Sequence, residues 1–155
     1  MAARSPPPST VATSFVAHYY RVLSKKPAEL FRFYKEESSF TFGAPGEAAE
    51  PVTGIEAIKT KITGLGLEGA KVEVGQGSVD AQASRDGGVV MLVTGTIALA
   101  TGQQPAQAFA QTFFLAPQVV VQQGRTAPVP SYFVLNDTLR FVQPAAAPAA
   151  AAAAA

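Results

Sequence analysis

The sequence predicts an α+β domain in which three N-terminal helices pack on a curved antiparallel sheet. Helix start signals and helical spacing of apolar residues occur up to Gly66. From Val72 onward, segments rich in β-branched and aromatic residues are separated by short turn signals, which predicts strands joined as an antiparallel meander. Helices followed by strands are the order typical of α+β domains.

Three helices are expected from these signals. The first begins at an N-cap formed by Ser9 or Thr10, and the second begins at Pro27, because proline is favoured at the first helical position. The third follows Thr53-Gly-Ile-Glu56, which matches a capping box. The expected ends of the three helices are Ser24, Tyr34 and the pair Gly64 and Gly66.

Five strands are predicted from alternation and from their β-branched and aromatic content. Asp86-Gly87-Gly88 is a hairpin turn signal, and Gly102 marks a further turn. Segments 44–51 and 118–130 are interpreted as loops, the latter because it contains both proline and glycine. The predicted strand ranges are 38–42, 72–83, 89–100, 106–115 and 132–141.

Composition and the chain ends narrow the classes of function. The 155 residues suit one domain with tails, and a net charge of +1 provides no field that would attract nucleic acid or a membrane surface. Without cysteine the chain can form neither disulfides nor thiolate metal sites, and its single histidine, His18, makes no ligand pattern with the scattered acids. The expected division is a disordered arm at 1–9, a domain at 10–142 and an Ala/Pro low-complexity tail at 143–155. Neither a signal peptide nor a membrane span is predicted.

The first helix carries more apolar surface than one contact requires. Its apolar arc is about 200° wide, against roughly 100° for an ordinary surface helix. Such a helix either lies deep in the core or makes apolar contacts on two separate sides. We therefore weigh an exposed groove bordered by Val11, Phe15 and Phe33 against a role in the core alone. The two adjoining stripes are Val11, Phe15, His18 and Val22, and Val16, Tyr19, Tyr20 and Leu23.

Four strings near the two ends of the chain carry a family resemblance. They are Phe15-Val-Ala-His-Tyr-Tyr20, Phe31-Arg-Phe-Tyr34, Gln111-Thr-Phe-Phe-Leu-Ala-Pro117 and Tyr132-Phe-Val-Leu-Asn-Asp137. Together they resemble nuclear-transport-factor-2-like domains of the Rasputin type, the RasGAP-binding stress-granule scaffolds, and more closely the plant or algal members. The resemblance covers most of the chain and implies a cone-shaped fold that homodimerises through its sheet.

The resemblance also implies a peptide site. In Rasputin-type domains, short Phe-Gly motifs of partner proteins insert a phenylalanine between the first two helices. Two positions depart from the family pattern: Tyr132 stands where animal relatives carry phenylalanine, and His18 stands where another polar residue is often found. The implied peptide-binding residues are Val11, Phe15, His18, Arg32, Phe33 and Tyr132.

The function implied by the resemblance is scaffolding rather than catalysis. A homodimer would capture Phe-Gly-motif proteins, such as stress-granule regulators or nucleoporins, and so promote messenger ribonucleoprotein assembly. RNA contact would be indirect or made by domains outside this chain. The expected location is the cytoplasm, with stress granules or the nuclear envelope as specific sites, and no cofactor is expected. Gly64-Leu-Gly-Leu-Glu-Gly69 fits G-x-G-x-x-G, but it follows a helix and precedes a strand, the reverse of the dinucleotide-binding arrangement.

Two other functions of the same fold remain open. One is an import carrier for the GDP form of Ran and for nucleoporin repeats, although the segment Ala100-Thr-Gly-Gln-Gln-Pro105 lacks the acidic residues of that subfamily. The other is an isomerase or dehydratase, which would use a carboxylate base, Asp80 or Asp137, and a tyrosine donor, Tyr19 or Tyr20. Against the enzyme, both aspartates are interpreted as turn or edge residues of strands.

Overall fold

The computed structural model describes residues 6–44, 46–100, 105–120 and 129–142. Within these ranges the chain forms two α-helices, a 3₁₀ helix and six strands, with a short 3₁₀ turn at Arg85–Gly87. The helices are α1 (Pro8–Lys25), the 3₁₀ helix Pro27–Phe33 and α2 (Ile55–Gly64). The strands are β1 (Tyr34–Gly43), β2 (Val52–Thr53), β3 (Lys71–Ala83), β4 (Val89–Ala98), β5 (Gln107–Val120) and β6 (Val129–Phe141).

The six described strands form one sheet in the order β2-β1-β6-β5-β4-β3. Strands β3 to β6 pair antiparallel in sequence order, which confirms the predicted meander. Strand β1 instead pairs parallel to β6, with Phe40 opposite Asp137, so the sheet is mixed and not wholly antiparallel as expected. This pairing joins segments about a hundred residues apart, and local turn signals carry no information about it.

Helix α1 begins at Pro8, earlier than the predicted cap at Ser9 or Thr10. Its N-cap is Pro7, whose side chain makes no capping hydrogen bond, and the amides of Thr10 and Val11 donate to the Pro7 carbonyl at 3.0 and 3.1 Å. Proline fits the first helical position because the N–H that it lacks has no partner there. The second helix is confirmed at Pro27 but is 3₁₀.

The predicted capping box of the third helix is wrong. The N-cap is Gly54 at φ 96°, which has no side chain that could cap the helix. Thr53 belongs to β2 and its hydroxyl lies 3.0 Å from that of Ser39 on β1. The amide of Ile55 instead donates to Glu36 Oε1 at 3.3 Å. Thr53, which the local pattern assigned to the N-cap of the third helix, is therefore part of the pairing between β2 and β1.

Strands β5 and β6 extend into the segment predicted as a loop. Strand β5 continues to Val120, which pairs with Val129, while the predicted turn at Gly102 lies outside the described residues. The prolines are tolerated because β4 pairs with β5 only as far as Leu115, so Pro117 has a partner strand on one side alone. The hairpin turn at 86–88 is confirmed, with Asp86 and Gly87 at positive φ.

The core lies between the helices and one face of the sheet. Strand β4 shows the alternation clearly, since Val89, Met91 and Val93 are buried whereas Leu92 is 42% exposed. Ile58 and Ile62 of α2 are buried on the helical side. None of the helices described is both long and apolar enough to cross a membrane.

Candidate functional site

A buried carboxylate lies at the centre of the domain. Asp137 on β6 is 1% exposed and accepts hydrogen bonds at both oxygens. Gln111 Nε2 on β5 donates to Oδ1 at 2.8 Å, and the Tyr34 hydroxyl at the start of β1 donates to Oδ2 at 2.5 Å. The Tyr19 hydroxyl of α1 lies 3.0 Å from the same Oδ2 and 2.8 Å from the Tyr34 hydroxyl, so these two oxygens compete for its proton. The interpretation of Asp137 as a turn or edge residue is therefore wrong.

This network connects α1 to the sheet at two successive residues. Tyr19 reaches Asp137, and the Tyr20 hydroxyl donates to Gln111 Oε1 at 2.7 Å. Every buried side-chain nitrogen and oxygen of the described residues has a hydrogen-bond partner. Because each buried polar group would be costly without its partner, the network fixes the rotation of α1 about its axis.

Burial controls the ionisation of the network. Desolvation raises the pKa of Asp137 to about 6, although the hydrogen bonds from Gln111, Tyr34 and Tyr19 act in the opposite direction. Burial, together with the nearby Asp137 charge, raises the pKa of both Tyr19 and Tyr34 well above the ordinary value. At neutral pH the arrangement is thus a carboxylate held by neutral donors.

The fixed face of α1 borders an open cavity, which we call the aromatic groove. Its volume is about 450 Å³, and all six sequence-predicted peptide-binding residues line it. They come from α1 (Val11, Phe15, His18), from the 3₁₀ helix (Arg32, Phe33) and from β6 (Tyr132). The remaining lining residues, which the sequence did not single out, are Pro6, Thr10, Ser14, Leu115, Gln118 and Ser131.

The missed lining residues differ in how far the sequence could have identified them. Thr10 and Ser14 lie eight and four residues before His18 on one helical face, so helical spacing contained that signal. Leu115 and Gln118 reach the groove only through the pairing of β5 with β6, in which Gln118 faces Ser131. Because residues 118–130 were interpreted as a loop, the pairing of β5 with β6 in this segment was not predicted.

Ring contacts hold the groove in shape while leaving its walls accessible. Phe15 and Phe33 are both half-buried, with ring centroids 5.7 Å apart in an edge-to-face arrangement. Each also packs on the buried ring of Tyr19, at 5.2 Å. The His18 ring is exposed and meets Phe33 edge-on at 5.1 Å. Tyr19 is therefore both a member of the polar network and the support beneath the two phenylalanines.

One charge stands at the entrance of the groove. The Arg32 side chain is 70% exposed and lies 3.4 Å from Glu29 Oε1 in an i, i+3 pair. Exposed pairs of this kind are weak, so the guanidinium can exchange Glu29 for a carboxylate of a ligand.

The residues weighed for catalysis do not form an accessible site. Asp137 and Tyr19 lie 3.0 Å apart, but both are enclosed in the core and neither lines the aromatic groove. Asp80 is exposed on β3. In the part of the chain that the structure describes, no three His, Asp or Glu side chains are grouped as a metal site would require. Gly64 is the last residue of α2, and Gly66 follows the C-cap Leu65 at positive φ, as is common where a helix ends.

Comparison with known proteins identifies the architecture. The nuclear transport factor 2 (NTF2) domain family matches residues 11–141. A nuclear transport factor 2 of Arabidopsis thaliana is 38% identical over 92% of this chain, and a putative G3BP-like protein of Schizosaccharomyces pombe is 37% identical over 83%. The crystal structure of the yeast UBP3-associated protein BRE5 superposes with a TM-score of 0.68 at 23% identity, covering 88% of this chain and 97% of that one. The chain spans only 28% and 26% of the two sequence relatives.

We expect Asp137 to make stability depend on pH in an unusual direction. Because its pKa is raised from 3.8 to about 6 in the fold, its contribution is complete below pH 4 and is lost as pH rises through about 6. The loss corresponds to about 3 kcal/mol of unfolding free energy. Urea unfolding of wild type and Asp137→Asn between pH 4 and pH 7 measures this change in the free energy of unfolding. The stability of wild type relative to the variant should fall as pH rises, and a constant or rising difference would contradict the assignment.

Proposed function

This chain belongs to the nuclear transport factor 2 domain family, and we propose that its aromatic groove docks Phe-Gly-type peptide motifs of partner proteins. The observation that carries the proposal is the pair of half-buried rings, Phe15 and Phe33, beside an open cavity of about 450 Å³. A cavity of this size, in which aromatic and aliphatic walls are combined with hydrogen-bonding side chains, is typical of ligand sites. A benzyl group inserted there would meet the same edge-to-face partners that the two rings offer each other.

The charge at the entrance favours a motif with an acidic residue. Arg32 is exposed and loosely paired, whereas the lining of the groove contains no carboxylate. A peptide of the Phe-Gly-Asp-Phe type supplies a ring for the groove and an aspartate for Arg32. Glycine between them removes a Cβ where the backbone approaches the wall.

Single motifs should bind weakly. Burial of one phenylalanine contributes on the order of 2 kcal/mol, and micromolar affinity corresponds to roughly −8 kcal/mol in all. Two sites in one assembly would raise the avidity without any new contact. The proposed function therefore includes a dimer.

The outer face of the sheet is the surface proposed for dimerisation. Here Val90 pairs with Phe114 and Leu92 pairs with Thr112, and α1 covers the opposite face. Val90 and Phe114 are half-buried, and Leu92 is 42% exposed. An exposed apolar strip on the outer face of a sheet is the kind of surface that a second copy of the chain covers.

In this proposal the dimer links two partner proteins and so promotes messenger ribonucleoprotein assembly in the cytoplasm, including stress granules. Similarity to a G3BP-like protein supports this setting. Similarity to a nuclear transport factor supports the second candidate, an import carrier for Ran-GDP and nucleoporin repeats. Both functions use peptide docking, and only the carrier requires binding of GDP-loaded Ran in a pull-down.

We predict that Phe33→Ala abolishes binding of a Phe-Gly-Asp-Phe peptide because the ring that borders the groove is lost. Isothermal titration calorimetry measures the affinity, and circular dichroism checks the fold. The matched control is Phe42→Ala, which removes another half-buried phenylalanine that lies outside the groove.

An additional variant keeps this test independent of folding. Arg32→Glu changes an exposed side chain and should weaken the same peptide by about tenfold, since it replaces attraction by repulsion. Absence of heat with wild type, or equal affinity for all three variants and wild type, would refute the docking proposal.

We predict that Leu92→Glu converts the protein to a monomer by burying a charge at the proposed sheet–sheet contact. Analytical ultracentrifugation at micromolar concentration should show a dimer for wild type and a monomer for this variant. Leu99→Glu is the control, since Leu99 is 40% exposed but follows the end of β4. A wild-type monomer, or a dimer that tolerates Leu92→Glu, would contradict the proposed interface.

A further inference from the structure

A second cavity lies on the other side of α1, and its volume is about 540 Å³. We call it the basic groove. One wall is the second half of α1, including Val16, Tyr20 and Arg21, and the other wall is the segment from Ala70 to Val74 at the start of β3. The aromatic groove contains none of these residues, so the two sites are separate.

The basic groove has an apolar floor. Val16, Val72 and Val74 are half-buried and pack against the core, and Tyr20 is buried with its hydroxyl engaged by Gln111. Of the second apolar stripe of α1, Val16 and Tyr20 line this cavity, whereas Tyr19 and Leu23 are buried in the core. Aliphatic side chains of a ligand could displace water from the apolar floor.

The rim of the groove concentrates positive charge. Arg21, Lys25 and Lys71 line it against a single carboxylate, Glu73, in a chain whose total charge is only +1. All four side chains are exposed, and no ion pair of the described residues involves any of them. A ligand with several carboxylates would therefore be favoured over a neutral or basic one.

The walls of the groove are fixed to each other. The Gly69 amide donates to the Ser24 carbonyl at 2.7 Å, and the Ser24 hydroxyl donates to the Ala70 carbonyl. These bonds tie the last turn of α1 to the start of β3. A ligand would meet a preformed site, which limits the ordering cost of binding.

Strand β3 offers its backbone as well. Among the described strands it is an edge strand of the sheet, with β4 as its one partner. Consecutive residues of β3 point to opposite faces, yet Lys71, Val72, Glu73 and Val74 all line the groove, which places the free edge of the strand along it. Every second residue there directs its N–H and C=O away from β4. A register shift after Glu73 limits the regularly paired part of this edge to residues 71–73.

We propose that the basic groove binds an extended acidic–aliphatic peptide segment of a partner protein, which adds as a short strand to the edge of β3. Backbone hydrogen bonds supply affinity in this mode, and alternate side chains supply specificity. Aliphatic residues of the peptide occupy the valine floor, and its carboxylates face Arg21, Lys25 and Lys71.

Charge also argues against other occupants. Lys71 and Glu73 are exposed on this edge, and charged side chains on an edge strand disfavour edge-to-edge pairing with a second copy of the chain. Single-stranded nucleic acid would gain phosphate contacts, but the only aromatic ring of the groove, Tyr20, is buried and cannot stack on a base.

The test is titration of the ¹⁵N-labelled full chain with acetyl-(Glu-Val)₃-amide, using acetyl-(Lys-Val)₃-amide and an octathymidylate as matched probes. The acidic peptide should bind more tightly than either probe and should slow hydrogen exchange at those amides of residues 71–74 that point away from β4. The double variant Arg21→Glu/Lys71→Glu should weaken it by at least about tenfold. Lys61→Glu, an exposed change on α2, should leave it unchanged.

Several outcomes would overturn this proposal. They are equal affinity for the acidic and basic peptides, tighter binding of the oligonucleotide, or binding without protection at 71–74. Phe33→Ala must not alter the affinity for acetyl-(Glu-Val)₃-amide, because the two grooves share no residue. A negative result for the basic groove therefore leaves the Phe-Gly proposal unaffected. A negative result for the Phe-Gly peptide likewise leaves the proposal for the basic groove unaffected.

Discussion

The buried carboxylate of Asp137 is the contact on which the rest of the arrangement depends. It receives donors from α1, β1 and β5 while it lies on β6 itself. An ion this deeply buried would be costly without those donors. Its retention specifies how α1 is turned on the sheet, because only one rotation brings Tyr19 to Asp137 and Tyr20 to Gln111 together. This polar centre therefore sets the position of every residue along the helix.

Two surfaces follow from that one constraint. With Tyr19 and Tyr20 turned inward, Phe15 and His18 border the aromatic groove on one side of α1, and Val16 and Arg21 border the basic groove on the other. The helix thus separates a site suited to an aromatic ligand from a site suited to an acidic one. A partner protein carrying both kinds of segment could engage the two sides at once, with the avidity that two linked contacts provide.

The sequence predicted those features whose cause is local. The apolar residues rich in β-branched side chains at 89–100 predicted the strand β4, and the Asp86-Gly87-Gly88 signal predicted the turn before it. The wide apolar arc of α1 predicted either a core helix or a helix with contacts on two sides. The features it did not predict depend on contacts between distant segments. The parallel pairing of β1 with β6, the engagement of Thr53 by Ser39 and the burial of Asp137 all result from tertiary packing. Tyr19, Tyr34, Gln111 and Asp137 were all present in the strings that carried the family resemblance, but no spacing rule indicates that four such residues meet.

The buried network shapes a groove that it does not itself line. The most direct measurement is the affinity of Tyr34→Phe for a Phe-Gly-Asp-Phe peptide, since this change removes one donor to Asp137 and leaves every groove residue in place. Ile62→Val, a core change on α2 that costs about 1 kcal/mol, controls for lost stability. We expect Tyr34→Phe to bind the peptide more weakly than Ile62→Val does at equal helix content. Affinities equal to that of wild type in both variants would contradict this expectation.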